Sequence, residues 1–362
     1  MAGDRKMVGG EKSSSDMREI IHGFSTGGGK AVIDIKMPTQ NASSKLGLSL
    51  TSGLARGWCG FVWMLKILVP ISLLTSLLTW SGWINRLDFM FEPIMGAIGL
   101  PPMAAIPLIA GLTTGIYGAI AAMAPLPLTV DQMTLLAIFL VISHSLIQEG
   151  VIQHQSGLPF IKASLFRLVA SIVTVMVVSR LMGHETATTA LINAPGTIRP
   201  TFFSMLHTWA AENLVLAIKI FAIIMTLMMA LEVMKTYKLI DRILWLMGPV
   251  LKVFGLGRKT GFLWFTAAVF GLTYGAAVIA EETKAGDFSK EELERLHISI
   301  GINHAMIEDP GVFLALGLSA FWLWVPRLVA AIIAVQLFII YTRLMPEAAS
   351  KVWIRSKVKA GH

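Results

Sequence analysis

Ser143-His144-Ser145-Leu146-Ile147-Gln148-Glu149-Gly150 and Asn303-His304-Ala305-Met306-Ile307-Glu308-Asp309-Pro310 are two versions of one stretch. Each sets a histidine, then carboxamide or carboxylate groups four and five residues on, inside an apolar neighbourhood. The second version begins 160 residues after the first, and the same offset continues around it. It pairs Gly111-Leu112-Thr113-Thr114-Gly115 with Gly271-Leu272-Thr273-Tyr274-Gly275, Thr129 with Ser289, and Gly157-Leu158 with Gly317-Leu318. It also pairs Arg167-Leu168-Val169-Ala170 with Arg327-Leu328-Val329-Ala330. Chance likeness between apolar segments would share Leu and Val; this one shares Gly, Thr, His and Arg. An internal duplication follows, and it governs the fold.

Of the 362 residues, 55% are hydrophobic and only 14% charged. A soluble domain carries about 25% charged residues. Several apolar runs approach the roughly 20 residues a helix needs to cross a bilayer. The expected fold is an all-α polytopic membrane protein of two internal repeats with broken or re-entrant helices; the repeats are inverted, or, with four full crossings per half, parallel. The net charge of +8 does not indicate nucleic acid. Its basic residues sit in the tails and beside the apolar runs, where positive charge marks the cytoplasmic side. The single cysteine, Cys59, excludes an internal disulfide and a cysteine metal cluster.

Residues 1–56 read as a disordered or interfacial cytoplasmic tail, with 46–57 along the membrane surface. Repeat 1 is expected over 57–182, a connecting loop over 183–212, repeat 2 over 213–345, and a basic cytoplasmic tail over 346–362. Gly27-Gly28-Gly29-Lys30 lacks the spacing and the preceding strand of a phosphate loop. In each half a first span is expected, at about 58–80 and 213–234. Lys66 and Lys219 lie inside these, either snorkelling to an interface or facing a polar interior. Pro70 predicts a kink. A short interfacial helix follows in each half. Trp83 to Gly99-Leu100, through Pro93, resembles Leu239 to Gly255-Leu256, through Pro249.

A second span is expected over 102–124 and 261–282, rich in the small residues that let helices approach closely in lipid. Thr113, Thr114, Thr273 and Tyr274 are candidate pathway hydroxyls there. Glu281 and Glu282 are either pathway groups or markers of the water interface. The histidine segment starts at Asp131 or after Ser289, with a hydroxyl cap and acidic first-turn residues. It is expected to stop at Gly150 or Pro310-Gly311. A spacing of four stacks His144 over Gln148 and His304 over Glu308. A last span in each half, with the Arg-Leu-Val-Ala match, runs to about Met182 and Met345. The basic residues place both termini in the cytoplasm of a bacterial inner membrane, with the middle connection outside.

Ionisable groups inside a bilayer cost about 3 kcal/mol each or more. His144, Gln148, Glu149, Asn303, His304, Glu308 and Asp309 are therefore the candidate substrate- or ion-binding residues, converging where the repeats meet. Imidazole with carboxylate suits a divalent metal, held by His144, His304, Glu308 and Asp309. The alternatives are an organic solute site with a coupling proton or sodium ion, or polar groups that bond one another at helix breaks with no ligand. The more acidic second copy is the expected cation binder. Ser143-His144-Ser145 is too local for a catalytic triad, and no enzyme is expected.

The two Gly-Leu-Thr-(Thr/Tyr)-Gly spans, each followed by a broken polar helix and an Arg-bearing span, resemble the nucleoside-recognition, or Gate-domain, membrane family. That family includes spore-maturation membrane proteins and the Gate segments of ferrous-iron transport protein B and of concentrative nucleoside transporters. The resemblance covers about 60–182 and 213–345 and implies a transporter-like fold. The chain lacks the GTPase domain of the iron transporter, and no complete set of nucleoside-transporter elements matches. The expected function is a permease for a small polar solute, nucleoside-like, or for a divalent cation. Its partners would be the lipid bilayer, the substrate and a second copy of the chain. The alternative is a non-transporting scaffold or sensor that binds a protein partner.

Overall fold

The computed structural model describes residues 42–183, 200–237, 239–284 and 288–344. The expected tails over 1–41 and 346–362, and most of the connecting loop, lie outside them. The described residues are helical and contain no strand. Five of their helices are long and apolar enough to cross a membrane, and a sixth span would join two segments bent by 86°. The chain is an all-α polytopic membrane protein.

Helix α1 (Ala42–Ser81) runs unbroken through Pro70. Residues 46–57, expected along the membrane surface, are its first turns. At about 1.5 Å per residue its length exceeds the roughly 30 Å apolar core. Helix α8 (Phe202–Thr236), capped by the Thr201 hydroxyl, begins ten residues before the expected end of the connecting loop. The two pack antiparallel. Gly53 lies against Met229 and Gly57 against Met225, and Ser49 Oγ donates to Thr236 Oγ1 (2.7 Å). At the other end Trp80 Nε1 donates to the Pro200 carbonyl (2.8 Å). These two first helices therefore run in opposite directions. Lys66 and Lys219 are both exposed on them, so neither enters a polar interior.

Helix α2 (Ile84–Ala97) ends at Gly99, whose φ of +75° only glycine adopts freely. Its counterpart is split into α9 (Leu239–Leu246) and α10 (Gly248–Val253), ending at Gly255.

The expected second span is a hairpin in both halves. Helices α3 (Ala105–Thr114) and α4 (Ile116–Met123) meet at Gly115, φ +90°. Helices α11 (Arg258–Phe270) and α12 (Leu272–Lys284) meet at Gly271, φ +84°. Gly111 packs on Ala119, and Gly275 on Ala267. Residues eight apart in a straight helix would be about 12 Å distant, so the chain folds back on itself. The small residues that suggested tight packing between spans instead pack the arms of each hairpin. The tips fall 156 residues apart, at Gly115 and Gly271, not at the 160 of the sequence match. Helix α12 has 13 residues against eight in α4, which absorbs the difference.

Helices α5 (Val130–Ser143) and α13 (Lys290–Asn303) start with the hydroxyl caps read from the sequence, as full capping boxes of Thr129 with Gln132 and Ser289 with Glu292. They stop at the histidines rather than at Gly150 or Pro310. Ser145 and Ala305 then take the left-handed conformation, both with φ +46°. The chain resumes as α6 (Leu146–Gln155) and α14 (Glu308–Phe313). Helix α6 runs back along α13: Gln153 lies beside Gly301, and His297 Nε2 is 2.9 Å from the Ser156 carbonyl. So α5 and α6 together make one crossing, broken in its middle. Helices α7 (Phe160–Leu181) and α15 (Ala320–Leu344) follow and cover the breaks.

Candidate functional site

Each break exposes backbone groups that a helix would have satisfied. Two devices satisfy them. A hairpin tip supplies acceptors: Ser145 N–H donates to Gly111 O (2.9 Å), and Ala305 N–H to Ala267 O (3.1 Å). A buried arginine supplies donors. Arg167 donates from Nε to Ile142 O and from Nη2 to His144 O, both at 2.9 Å. Arg327 makes the same two bonds to Ile302 O and His304 O. Both guanidinium groups are fully buried. The matched Arg-Leu-Val-Ala segments had signalled only duplication; these arginines belong to the site.

The breaks place the two histidines together, with ring centres 5.1 Å apart. His144 Nδ1 lies 2.9 Å from Leu140 O, and His304 Nδ1 lies 3.0 Å from Ile300 O. A carbonyl only accepts, so both Nδ1 atoms carry hydrogen and both Nε2 atoms present lone pairs when the rings are neutral. Those Nε2 atoms converge on one carboxylate: Glu149 Oε1 is 3.1 Å from His144 Nε2, and Glu149 Oε2 is 3.0 Å from His304 Nε2. Asp309 Oδ2 stands 3.6 Å from His144 Nε2. Arg167 Nη2 holds Glu149 Oε2 at 2.5 Å.

The other predicted residues separate. Glu308 forms no ion pair with either imidazole within 4.0 Å and accepts from the Tyr117 hydroxyl (3.2 Å), a contact from the first hairpin that sequence did not suggest. Gln148 is exposed, so His144 does not stack over it; the break between them removes the helical spacing. Asn303 is fully buried, and neither of its amide atoms finds a hydrogen-bond partner. Thr113 and Thr114 return their hydroxyls to their own helix, at Ile109 O (2.8 Å) and Ala110 O (2.7 Å). The side chains of Thr273 and Tyr274 lie outside the described residues. Glu281 and Glu282 are exposed near the end of α12.

His144, Glu149 and His304 offer three ligand atoms within 4.8 Å of one another. Donors about 2.1 Å from a metal and about 90° apart are themselves separated by about 3 Å. The observed spacings of 3.0 and 3.1 Å therefore suit a metal ion as well as a shared proton. The carboxylate at the centre is Glu149 of the first copy, not Glu308 of the more acidic second. Formally, two guanidinium groups face the three carboxylates of Glu149, Glu308 and Asp309, and the excess negative charge favours a cation. The C-terminal dipoles of α5 and α13 point the same way.

Residues 61–153 match the Gate family. Its description is nucleoside recognition. This Gate segment contains the first hairpin, the break at Ser145, His144 and Glu149. The chain is also similar to YvoD, an uncharacterized membrane protein of Bacillus subtilis (strain 168). The two are 27% identical over 285 residues, which is 78% of this chain and 91% of YvoD. No solved structure matches.

Proposed function

We propose that the chain is a permease of the bacterial inner membrane that carries a divalent transition-metal cation, with both termini in the cytoplasm. The observation that supports it is the convergence of two imidazole lone pairs on Glu149. Neutral Nε2 atoms and a carboxylate repel at 3.0–3.1 Å unless a proton or a metal ion lies between them. A divalent cation ligated by His144, His304 and Glu149, with Asp309 alongside, removes that repulsion. The related halves would place this centre near mid-membrane, with one hairpin reaching it from each face. Movement of the hairpins at Gly115 and Gly271 would open it alternately.

The Gate description favours a second reading, a nucleoside-like solute at the same centre. Uptake by proteoliposomes separates the two. The cation reading expects saturable Mn2+, Co2+ or Zn2+ uptake that falls at least tenfold in Glu149→Gln and His304→Ala. Uridine or adenosine uptake without metal uptake would replace it with the second reading. Absence of both fluxes would favour the scaffold reading.

A further inference from the structure

The two halves repeat their architecture but not their polarity on one side of the histidines. Helix α13 carries Glu294, His297, Gly301 and His304 at spacings of three, four and three, which is one helix face. Helix α6 runs beside it and brings Glu149 and, one turn on, Gln153. Glu294, His297, His304, Glu149 and Gln153 are all buried. At the 160-residue offset their counterparts in the other half are Thr134, Ala137, His144, Asp309 and Phe313, with Val141 in place of Gly301. The other half thus closes the same position with Ala137, Val141 and Phe313, all buried. The fold does not need a polar stripe there; only this half has one.

The stripe is also under-bonded. His297 Nε2 donates to the Ser156 carbonyl at 2.9 Å, which leaves the Nδ1 lone pair without a partner. Neither amide atom of Gln153 has a hydrogen-bond partner, nor does Arg167 Nη1. Of these residues, Gln153 and Arg167 border Gly301, with the Phe166 ring alongside. A Cβ there would stand 3.3 Å from Gln153 Nε2 and 3.6 Å from Arg167 Cγ, so glycine keeps the space open. Buried polar atoms without protein partners are the usual lining of ordered water. From Glu294 to His304 the stripe rises about 15 Å, half the apolar thickness of a bilayer.

We propose that this stripe is a one-sided proton path between the membrane face where α13 begins and the His304–Glu149 centre. A proton enters at Glu294, is taken up and returned at His297 Nδ1, and passes through water held by Gln153 and the space beside Gly301. It arrives beside Glu149, at the edge of the centre. At the centre it meets His144 and Asp309, with Arg167 beside the path. From the other face Ala137, Val141 and Phe313 close the equivalent route, so a proton leaves the centre on that side only when the hairpin there moves aside. The path goes beyond cation carriage: it gives the centre a proton supply of fixed direction.

The test uses the full chain in liposomes with an internal pH dye, a potassium diffusion potential and no metal. His297→Ala and Gln153→Phe install the residues that the other half already accommodates. The expected result is protein-dependent proton flux, reduced at least tenfold by either variant and changed less than twofold by Thr134→Ala. The isosteric Glu294→Gln should lose as much, even if the other variants do not purify as single species. Absence of flux in the native chain, or full flux in Glu294→Gln or in folded His297→Ala, overturns the proposal. Metal-dependent thermal shift, measured separately, reports on the cation reading alone.

Discussion

Arg167 Nη2 lies 2.5 Å from Glu149 Oε2, and the same nitrogen reaches the His144 carbonyl at 2.9 Å. One buried guanidinium thus closes a helix end and neutralises the carboxylate between two histidines. Arg167→Met should leave a buried charge and two carbonyls uncompensated. Breaking such a pair costs about 3–5 kcal/mol. A large fall in the thermal midpoint in detergent is expected, and an unchanged midpoint would contradict the clamp. Arg167→Lys should recover only part, because a point charge cannot span Ile142 O and His144 O together.

The positive-φ residues at one break and at one hairpin tip predict opposite outcomes for glycine and for its replacement. Ala305 carries a Cβ at φ +46°. Left-handed backbone costs an L-residue about 1–2 kcal/mol, so Ala305→Gly should stabilise by up to about 1 kcal/mol once the added chain entropy is subtracted. Gly115→Ala should destabilise, since φ is +90° and the new Cβ would stand 2.7 Å from Ser145 Oγ. Denaturation midpoints of the two variants should move in opposite directions.

The sequence carried the histidines and their caps plainly, because Thr129 and Ser289 start helices by local chemistry. The breaks were not legible. Gly150 and Pro310 are strong local stop signals, yet both lie within helices. Ser145 and Ala305 give no such signal; their conformation is stabilised from outside, by the hairpin carbonyls and the arginines. The hairpins had the length and apolarity of spans, and Gly115 looked like any small residue in a packed membrane helix. Arg167 and Arg327 were visible as a match, but their bonds depend on helices that meet only in three dimensions.

Glu149 and Glu308 occupy similar sequence settings but different surroundings, so their amides should behave differently. Glu149→Gln removes the one carboxylate shared by both imidazoles. Cation affinity, read by calorimetry with Mn2+ or Co2+, should fall at least tenfold, or about 1.4 kcal/mol. Glu308→Gln keeps an acceptor for Tyr117 and replaces a group that is not ion-paired with either imidazole, so its affinity should stay within about threefold. Equal losses would place Glu308 in the first ring of ligands after all.

Thr129 caps the first broken crossing through a bond from Gln132 N–H to its hydroxyl (3.2 Å), while the Gln132 side chain accepts from Thr129 N–H (3.0 Å). This box lies a full helix away from the centre, and neither residue touches a proposed ligand. Thr129→Ala should therefore cost stability, about 1 kcal/mol for a lost cap, without altering cation affinity. Ser289→Ala, which removes the matching box on α13, should behave the same way. A cap variant that lost affinity while keeping its melting point would mean that these helix starts move during binding, and a rigid pair of crossings would no longer describe the resting bundle.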